Sequence, residues 1–508
     1  MLKRIDKKTG INIGLFLLVF LFTGTAFYLY QKNYFLNYYP DQDSFYHVRI
    51  AQLMSQGVLI IKKFPYLYFS SLRDNFVDWH FLYHVLLVPF LKFFGEPIGP
   101  KILNIIIVGG IFGVIYLIFK ELKLKLAPIY AIALFFLMPA EFFFRMSMIR
   151  APALVLLFLV LSLYWLIKNR PIVLAITIFF FVWAYYVASF LVFIPIIAYL
   201  FAQIFNKEKL NYKILLWALG GFLAGMVINP YFPHNIPFLI TQLSVTWNYD
   251  VNQPYSATEM NAPDAWWWFY SSMLAAILFF GGIIISLLKN IKLSSVNIGI
   301  IIFTFFILIL QWKAVRNIEY WPALGALTGI LLIGKYIEEI FQNIKKNWRR
   351  AESIIIVILV GIFIYEGIFH GIWEFWRMEK ITNTNTIGIE RIREASNFLQ
   401  EHSEKGDIVF TQWDSFAPLF YFNQKNYYVA GMNPMFLKVY NQKLFDEFID
   451  IYYYNSFNTD LRAIKDDFKS KWVLLHVSET KLKEKLLAKQ DLFEQAYENS
   501  NYIIFQVK

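Results

Sequence analysis

The sequence predicts a polytopic α-helical membrane protein of about eleven transmembrane helices followed by a C-terminal α/β domain. Three observations carry that expectation. Hydrophobic residues make up 58% of the 508 positions and charged residues only 16%, with a mean hydropathy of +0.48, whereas soluble domains carry about a quarter charged residues. Apolar runs long enough to cross a bilayer recur along the first three quarters of the chain. After Trp376 the sequence turns polar and charged. No cysteine occurs, which excludes disulfides, thiolate metal sites, iron-sulfur clusters and cysteine nucleophiles.

The elements follow in order. A basic head, Met1 to Lys8, precedes an apolar run from Ile11 to about Tyr30, which at 1.5 Å per residue matches a hydrocarbon core of ~30 Å. The run exceeds a secretory h-region and ends in Phe27-Tyr-Leu-Tyr-Gln-Lys32 rather than a small-residue cleavage site, so a retained first span is expected. Further runs lie near 98–119, 126–143, 151–167, 172–186, 189–206, 213–229, 266–288, 295–311, 321–341 and 352–374. Short basic connections, such as Lys120 to Lys125, Lys207 to Lys213 and Lys345 to Arg350, all alternate to the side of the N-terminus. That pattern predicts a cytoplasmic N-terminus in a cytoplasmic membrane. The extracytoplasmic face then carries the long connections 31–97 and 230–265, and the C-terminal domain. Within the first, Val85 to Phe94 is short for a span and reads as a re-entrant or surface helix.

The organisation predicted is thus a transmembrane domain over 1–376 and an extracytoplasmic domain over 377–508. In the latter, Asp407 to Thr411, Tyr427 to Ala430, Trp472 to His476 and Tyr502 to Gln506 read as strands, and 387–400 as a helix. No flexible linker separates the two parts, so direct packing is expected. Basic and acidic residues nearly balance in this domain. The overall excess of 47 Lys and Arg over 36 Asp and Glu therefore sits in the membrane part and records orientation, not nucleic-acid binding.

Three segments of the predicted extracytoplasmic face concentrate polar chemistry. In Tyr39-Pro-Asp-Gln-Asp-Ser-Phe-Tyr-His-Val-Arg49, a helix starting at Asp43 sets Asp43 and His47 on one face. Asp43 can hold a divalent cation, act as a base, or simply cap the helix. Downstream, Asp78, His80 and His84 offer metal ligation or interfacial hydrogen bonding. The second segment, Asn229 to Trp268, is too long for a structural turn and too aromatic for disorder. Its tryptophans suit an interface belt, and Glu259 suits a loop that closes over bound substrate. The third, Gln311 to Tyr320, carries Arg316 against the positive-inside bias. It either grips a phosphate or pairs with Glu319.

Together these segments resemble the catalytic subunit of oligosaccharyltransferase, within the GT-C class of polyprenyl-dependent membrane glycosyltransferases. Asp43-Ser-Phe-Tyr-His-Val-Arg49 is similar to the family's first-loop motif, Asp-Pro-aromatic-aromatic-Asn-x-Arg, and the resemblance implies that Asp43 is catalytic and binds metal. Ser256-Ala-Thr-Glu259 resembles the SVSE or TIxE motif of the mobile loop. Lys313-Ala-Val-Arg316 falls where the family has a pyrophosphate-binding arginine. Phe410-Thr-Gln-Trp413-Asp414-Ser-Phe416 resembles WWDYG, which implies that Trp413 and Asp414 read the acceptor. The family's second acidic motif is reduced here to Glu141 beside Arg145 and Arg150. The implied Mg2+ or Mn2+ then draws on Asp43 with His47, His80, His84 and Asp78, while Arg145, Arg150 and Arg49 join Arg316 as phosphate contacts.

The function expected is glycan transfer from a polyprenyl-phosphate or pyrophosphate donor to an acceptor, protein first, with Asp43 and Glu259 as catalytic groups. A second reading is transfer of a single sugar from a polyprenyl monophosphate to a lipid, glycan or protein hydroxyl. A third, a transporter or scaffold for a lipid-linked glycan, predicts charges within the spans and internal repeats. If the enzyme reading is right, Asp43, Glu259 and Arg316 share one cavity.

Overall fold

A computed structural model describes residues 7–35, 39–247, 250–346, 388–454 and 459–508. The predicted span at 352–374 and the predicted boundary at 376/377 lie outside the described residues. Helices α1 (Lys7–Phe35), α2 (Asp43–Ser55), α3 (Phe81–Phe94) and α4 (Ile98–Glu121) open the chain. Then come α5 (Ala127–Phe136), α6 (Ala140–Ser147), α7 (Pro152–Ile167) and α8 (Pro171–Ala184). Helical segments Tyr186–Phe205, Tyr212–Val227, Ala265–Leu288, Ser295–Lys313 and Trp321–Lys346 complete the described membrane part. Five of these are individually long and apolar enough to cross a membrane: 9–32 within α1, α4, Tyr186–Phe205, Ala265–Leu288 and Ser295–Lys313. Helices α3, α7, α8 and Tyr212–Val227 are apolar but shorter.

The run at 126–143 departs from expectation, because it is not one straight helix. It breaks at Met138-Pro139 and turns by 88° from α5 into α6. Proline has no N–H to donate and disfavours helix in the residue before it, so the chain bends here and α6 presents Arg145 inward, where it is 8% exposed.

Packing between helices relies on small residues, as expected where lipid supplies no hydrophobic drive for helix association. A Cβ at Gly329 would lie 2.3 Å from the Leu278 carbonyl oxygen, and one at Gly221 would lie 2.2 Å from that of Ala175. Each glycine therefore sets the approach of a helix pair, Ala265–Leu288 with Trp321–Lys346 and α8 with Tyr212–Val227.

The C-terminal part is a five-stranded mixed sheet in the order β2-β1-β3-β5-β4. The strands are β1 Ile408–Thr411, β2 Tyr427–Tyr428, β3 Ser470–His476, β4 Phe493–Glu498 and β5 Tyr502–Val507. β1 runs parallel to β2 and β3, and β5 runs antiparallel to β3 and β4. Strand β4 was not legible in the sequence because it is an edge strand whose Phe493-Glu-Gln-Ala-Tyr-Glu498 is mostly exposed, so it shows no apolar alternation. A helix covers 388–402.

This domain packs directly on the first long loop. Tyr68 N–H donates to the Tyr428 carbonyl at 3.0 Å and Tyr428 N–H to that of Tyr66 at 2.8 Å. Phe45, Phe64, Phe416, Phe420 and Tyr428 belong to the core that also holds the membrane helices. The sheet end carrying residues 412–414 is thereby fixed above α2.

Candidate active site

Four segments far apart in sequence meet in one cavity of about 730 Å3. They are Asp41 to His47 at the start of α2, Arg145 to Arg150 between α6 and α7, the loop 254–260, and Arg316; Trp413 and Asp414 of the small domain line the same space. Asp43, Glu259 and Arg316 therefore do share a cavity, as an enzyme requires.

The first segment is fixed from below. Ser44 Oγ donates to Asp41 Oδ1 and accepts the Ile149 N–H at 2.9 Å. The Asn104 side-chain amide donates to the carbonyls of Met146 and Met148 at 3.0 and 2.7 Å. These bonds hold the extended link between α6 and α7 against α2. Arg150 is delivered into the cavity 3.6 Å from Asp41 Oδ2 and 3.3 Å from Asp43 Oδ2. Burial raises the Asp41 carboxyl to about 6, against the lowering effect of Arg150.

Glu259 sits on a short 3-10 turn, Thr258–Met260, tied down by the Val315 N–H donating to the Asn261 carbonyl at 2.9 Å. Its carboxylate meets three guanidiniums: Arg145 at 2.6 Å, Arg316 at 3.4 Å and Arg150 at 3.6 Å. Burial works against its charge, but Arg150, Arg316 and Arg145 together hold its carboxyl well below the usual range. Glu319, weighed in the sequence as a partner of Arg316, instead binds Arg145, whose Nε donates to Oε1 at 2.6 Å.

The histidines form a second cluster. His47 Nδ1 lies 2.7 Å from His84 Nε2, and His84 Nδ1 lies 2.6 Å from Asp78 Oδ2. Burial, then His84, His80 and Arg150, lower the His47 imidazole well below its ordinary value, so it is neutral at pH 7. His47 and His80 reach the cavity, while Asp78 and His84 are buried behind it. His80 Nδ1 faces the Ala184 carbonyl at 3.3 Å.

Of the five tentative metal ligands, His47, His80, His84 and Asp78 meet in this second cluster, where they bond to one another, and Asp43 stands apart from them. Both ring nitrogens of His84 are engaged by protein partners, Asp43 faces Arg150, and no three His, Asp or Glu side chains among the described residues are grouped to hold an ion. Arg49 is also elsewhere: its Nε donates to the Tyr421 carbonyl at 3.0 Å and its guanidinium lies over the Tyr421 ring at 5.1 Å. It clamps the small domain rather than facing the cavity.

Asp41 is a cavity residue that the sequence reading, centred on Asp43, does not single out, although Asp41-Gln-Asp43 displays both. Both line the cavity, Asp41 from the irregular turn before α2 and Asp43 from its first residue. Asp414 is partly buried, and burial raises its carboxyl to about 6.

No family model matches the chain, and no curated protein sequence does. Solved structures do resemble it. One is the archaeal oligosaccharyltransferase AglB from Archaeoglobus fulgidus in complex with an inhibitory peptide and a dolichol-phosphate. It matches at a TM-score of 0.62 and 12% identity, over 93% of this chain and 70% of that one. The oligosaccharyltransferase of the same organism, tethered to an acceptor peptide containing the NVT sequon, matches at 0.58 and 12%, over 98% and 74%. ArnT from Cupriavidus metallidurans bound to undecaprenyl phosphate matches at 0.55 and 11%, over 97% of each chain. The chain thus has the GT-C fold, a polytopic helical membrane domain with a small C-terminal α/β domain.

Proposed function

We propose that the protein is a membrane glycosyltransferase that moves a glycan from a polyprenyl-phosphate or pyrophosphate donor to an acceptor, a polypeptide first. Its N-terminus faces the cytoplasm and its cavity and small domain face the other side. The observation that carries this reading is the convergence of Asp43, Glu259 and Arg316 with Arg145 and Arg150 in one cavity beneath Trp413 and Asp414.

In the transfer the bond from the anomeric carbon to the donor phosphate oxygen breaks, a bond to the acceptor nitrogen or oxygen forms, and the acceptor loses a proton. Asp43, half exposed at the cavity, accepts that proton or orients its donor. Charge grows on the departing phosphate, and Arg316, Arg145 and Arg150 stand ready to stabilise it. Glu259 neutralises these arginines in the absence of donor, so an incoming phosphate exchanges places with its carboxylate. Trp413 and Asp414 supply an apolar and a polar contact for the acceptor.

A second reading, transfer of one sugar from a polyprenyl monophosphate, is favoured by the match to ArnT over nearly the whole of both chains. One assay separates them. Purified protein is offered a fluorescent sequon peptide with extracted lipid-linked oligosaccharides, or a panel of lipid and glycan acceptors with polyprenyl-monophosphate sugars. A mobility shift of the peptide supports the first reading, product only with monophosphate donors supports the second, and no transfer from any polyprenyl donor defeats both.

A further inference from the structure

A divalent ion in a site of this kind needs oxygen ligands pointing at a common centre about 2.0 to 2.6 Å away. Three carboxylates of this chain do point at a common centre: Asp41 and Asp43 from the head of α2, and Glu259 from the loop. A guanidinium group occupies that centre. Arg150 lies 3.6 Å from Asp41, 3.3 Å from Asp43 and 3.6 Å from Glu259, and is 12% exposed. The donor set therefore does not fit Mg2+ or Mn2+ while Arg150 is present, because a dication placed among these oxygens would be set against a fixed positive charge at contact distance.

We infer that Arg150 is a covalently attached substitute for the divalent cation: it occupies the position among Asp41, Asp43 and Glu259 and makes the site independent of metal. Several details fit a purpose-held group. The Arg150 N–H donates to the Met148 carbonyl at 2.8 Å, Ile149 is anchored to Ser44 and Met148 to Asn104, and Pro152 starts α7 two residues later. The side chain thus leaves a short, fully tethered link. A guanidinium cannot be deprotonated in any working range, and it directs several N–H donors at once. It can orient Asp43 and meet developing charge on a phosphate oxygen by hydrogen bonding, two services otherwise expected of a bound ion. The second acidic motif, reduced to Glu141, is then dispensable, since no ion needs its ligands.

This inference rests on the proposed function for its meaning but not for its test. Full-length protein is titrated with Mn2+ alone, and bound ion is counted by electron paramagnetic resonance. Wild type is expected to bind no stoichiometric Mn2+, and Arg150→Ala to gain one site with a dissociation constant on the order of 10−4 to 10−3 M, lost again in Asp43→Asn/Arg150→Ala. Arg150→Gln, which keeps bulk and hydrogen bonds without charge, replaces the alanine variant if that fails to purify as a monodisperse species. A wild-type site abolished by Asp43→Asn overturns the inference, as does a folded uncharged variant that gains no Mn2+. If the ion binds as expected but no sugar is transferred, the functional proposal fails and this one stands. Transfer that persists undiminished in chelator is the expected result with active protein, and chelator-sensitive transfer restored by Mn2+ overturns the inference.

Discussion

Two buried polar clusters flank α2, and they are built on opposite principles. On the cavity side, Arg145, Arg150 and Arg316 interlock with Asp41, Asp43, Glu259 and Glu319, all formally charged and drawn from four separate segments. Behind it, His47, His84 and Asp78 are linked end to end by two short hydrogen bonds within α2, α3 and the turn before α3. The ionic cluster includes Asp43 and Glu259, whose side chains are 49% and 25% exposed, whereas those of His84 and Asp78 are 0% and 1% exposed. Charges that water or a ligand can reach are able to exchange partners; groups sealed from water cannot be left unpaired without a large penalty. The first cluster is thus suited to rearrange on binding, the second to hold α2 and α3 in register.

The largest contrast comes from cutting each cluster once. Asp43→Asn keeps shape and removes the charge, so transfer should fall by about 10^2- to 10^4-fold with little change in melting temperature, read by product formation and thermal unfolding in detergent. Asp78→Ala should do the reverse. It leaves the Nδ1 of His84 without its partner in a sealed site, at a cost of about 1–3 kcal/mol of stability, visible as a lower melting temperature and a smaller folded yield. The turnover of its surviving folded fraction should fall far less than that of Asp43→Asn. If Asp78→Ala kills turnover at unchanged stability, the histidine cluster belongs to the chemistry and the division drawn here is wrong.

How much of this was legible in the sequence follows from what each cluster is made of. Asp43, Glu259 and Arg316 could be singled out because charges beside apolar spans need a reason, and the strands β1, β3 and β5 because their apolar runs are bounded by turns. The pairing could not be read. His80 and His84, at i, i+4, read as either a ligand pair or interfacial hydrogen-bonders, and neither reading names His47, 37 positions away, as the partner His84 takes. For Arg316 the sequence leaves a phosphate or an internal pair with Glu319 open, and Glu319 goes to Arg145, 174 positions away. Local spacing states which side chains are near one another on one helix, but long-range packing decides which of them bond. The bend at Pro139 was equally hidden, since hydropathy does not distinguish a straight span from a broken one.

A subtler effect tests whether the ionic cluster does exchange partners. In Glu259→Gln the three arginines lose a counter-charge that competes with donor phosphate. Its affinity for undecaprenyl phosphate alone should rise by up to about fivefold, the size of one partly exposed charge pair, while transfer declines. Weaker binding of the lipid phosphate by this variant would mean that Glu259 supports donor binding and is not displaced by it.

The smallest expected effect lies at the rim, where Asp414 belongs to neither cluster. Burial raises its carboxyl from the ordinary range near 3.8 to about 6, so it is largely protonated at pH 5 and largely ionised at pH 7. An ionised carboxylate accepts a stronger hydrogen bond from an acceptor hydroxyl or amide than a protonated one does. The KM for a peptide acceptor should therefore fall by about two- to fivefold as pH rises from 5 to 7, and the change should vanish in Asp414→Asn. Folding stability moves the opposite way. An acid whose proton is held more tightly folded than unfolded gains stability at low pH, and that gain is lost as pH rises between about 3.8 and 6. Where the two windows overlap, between about pH 5 and 6, acceptor binding tightens while folding stability declines, so a KM that falls together with the melting temperature would assign Asp414 to the acceptor, and a KM that rises as the melting temperature falls would assign it to the packing of the small domain.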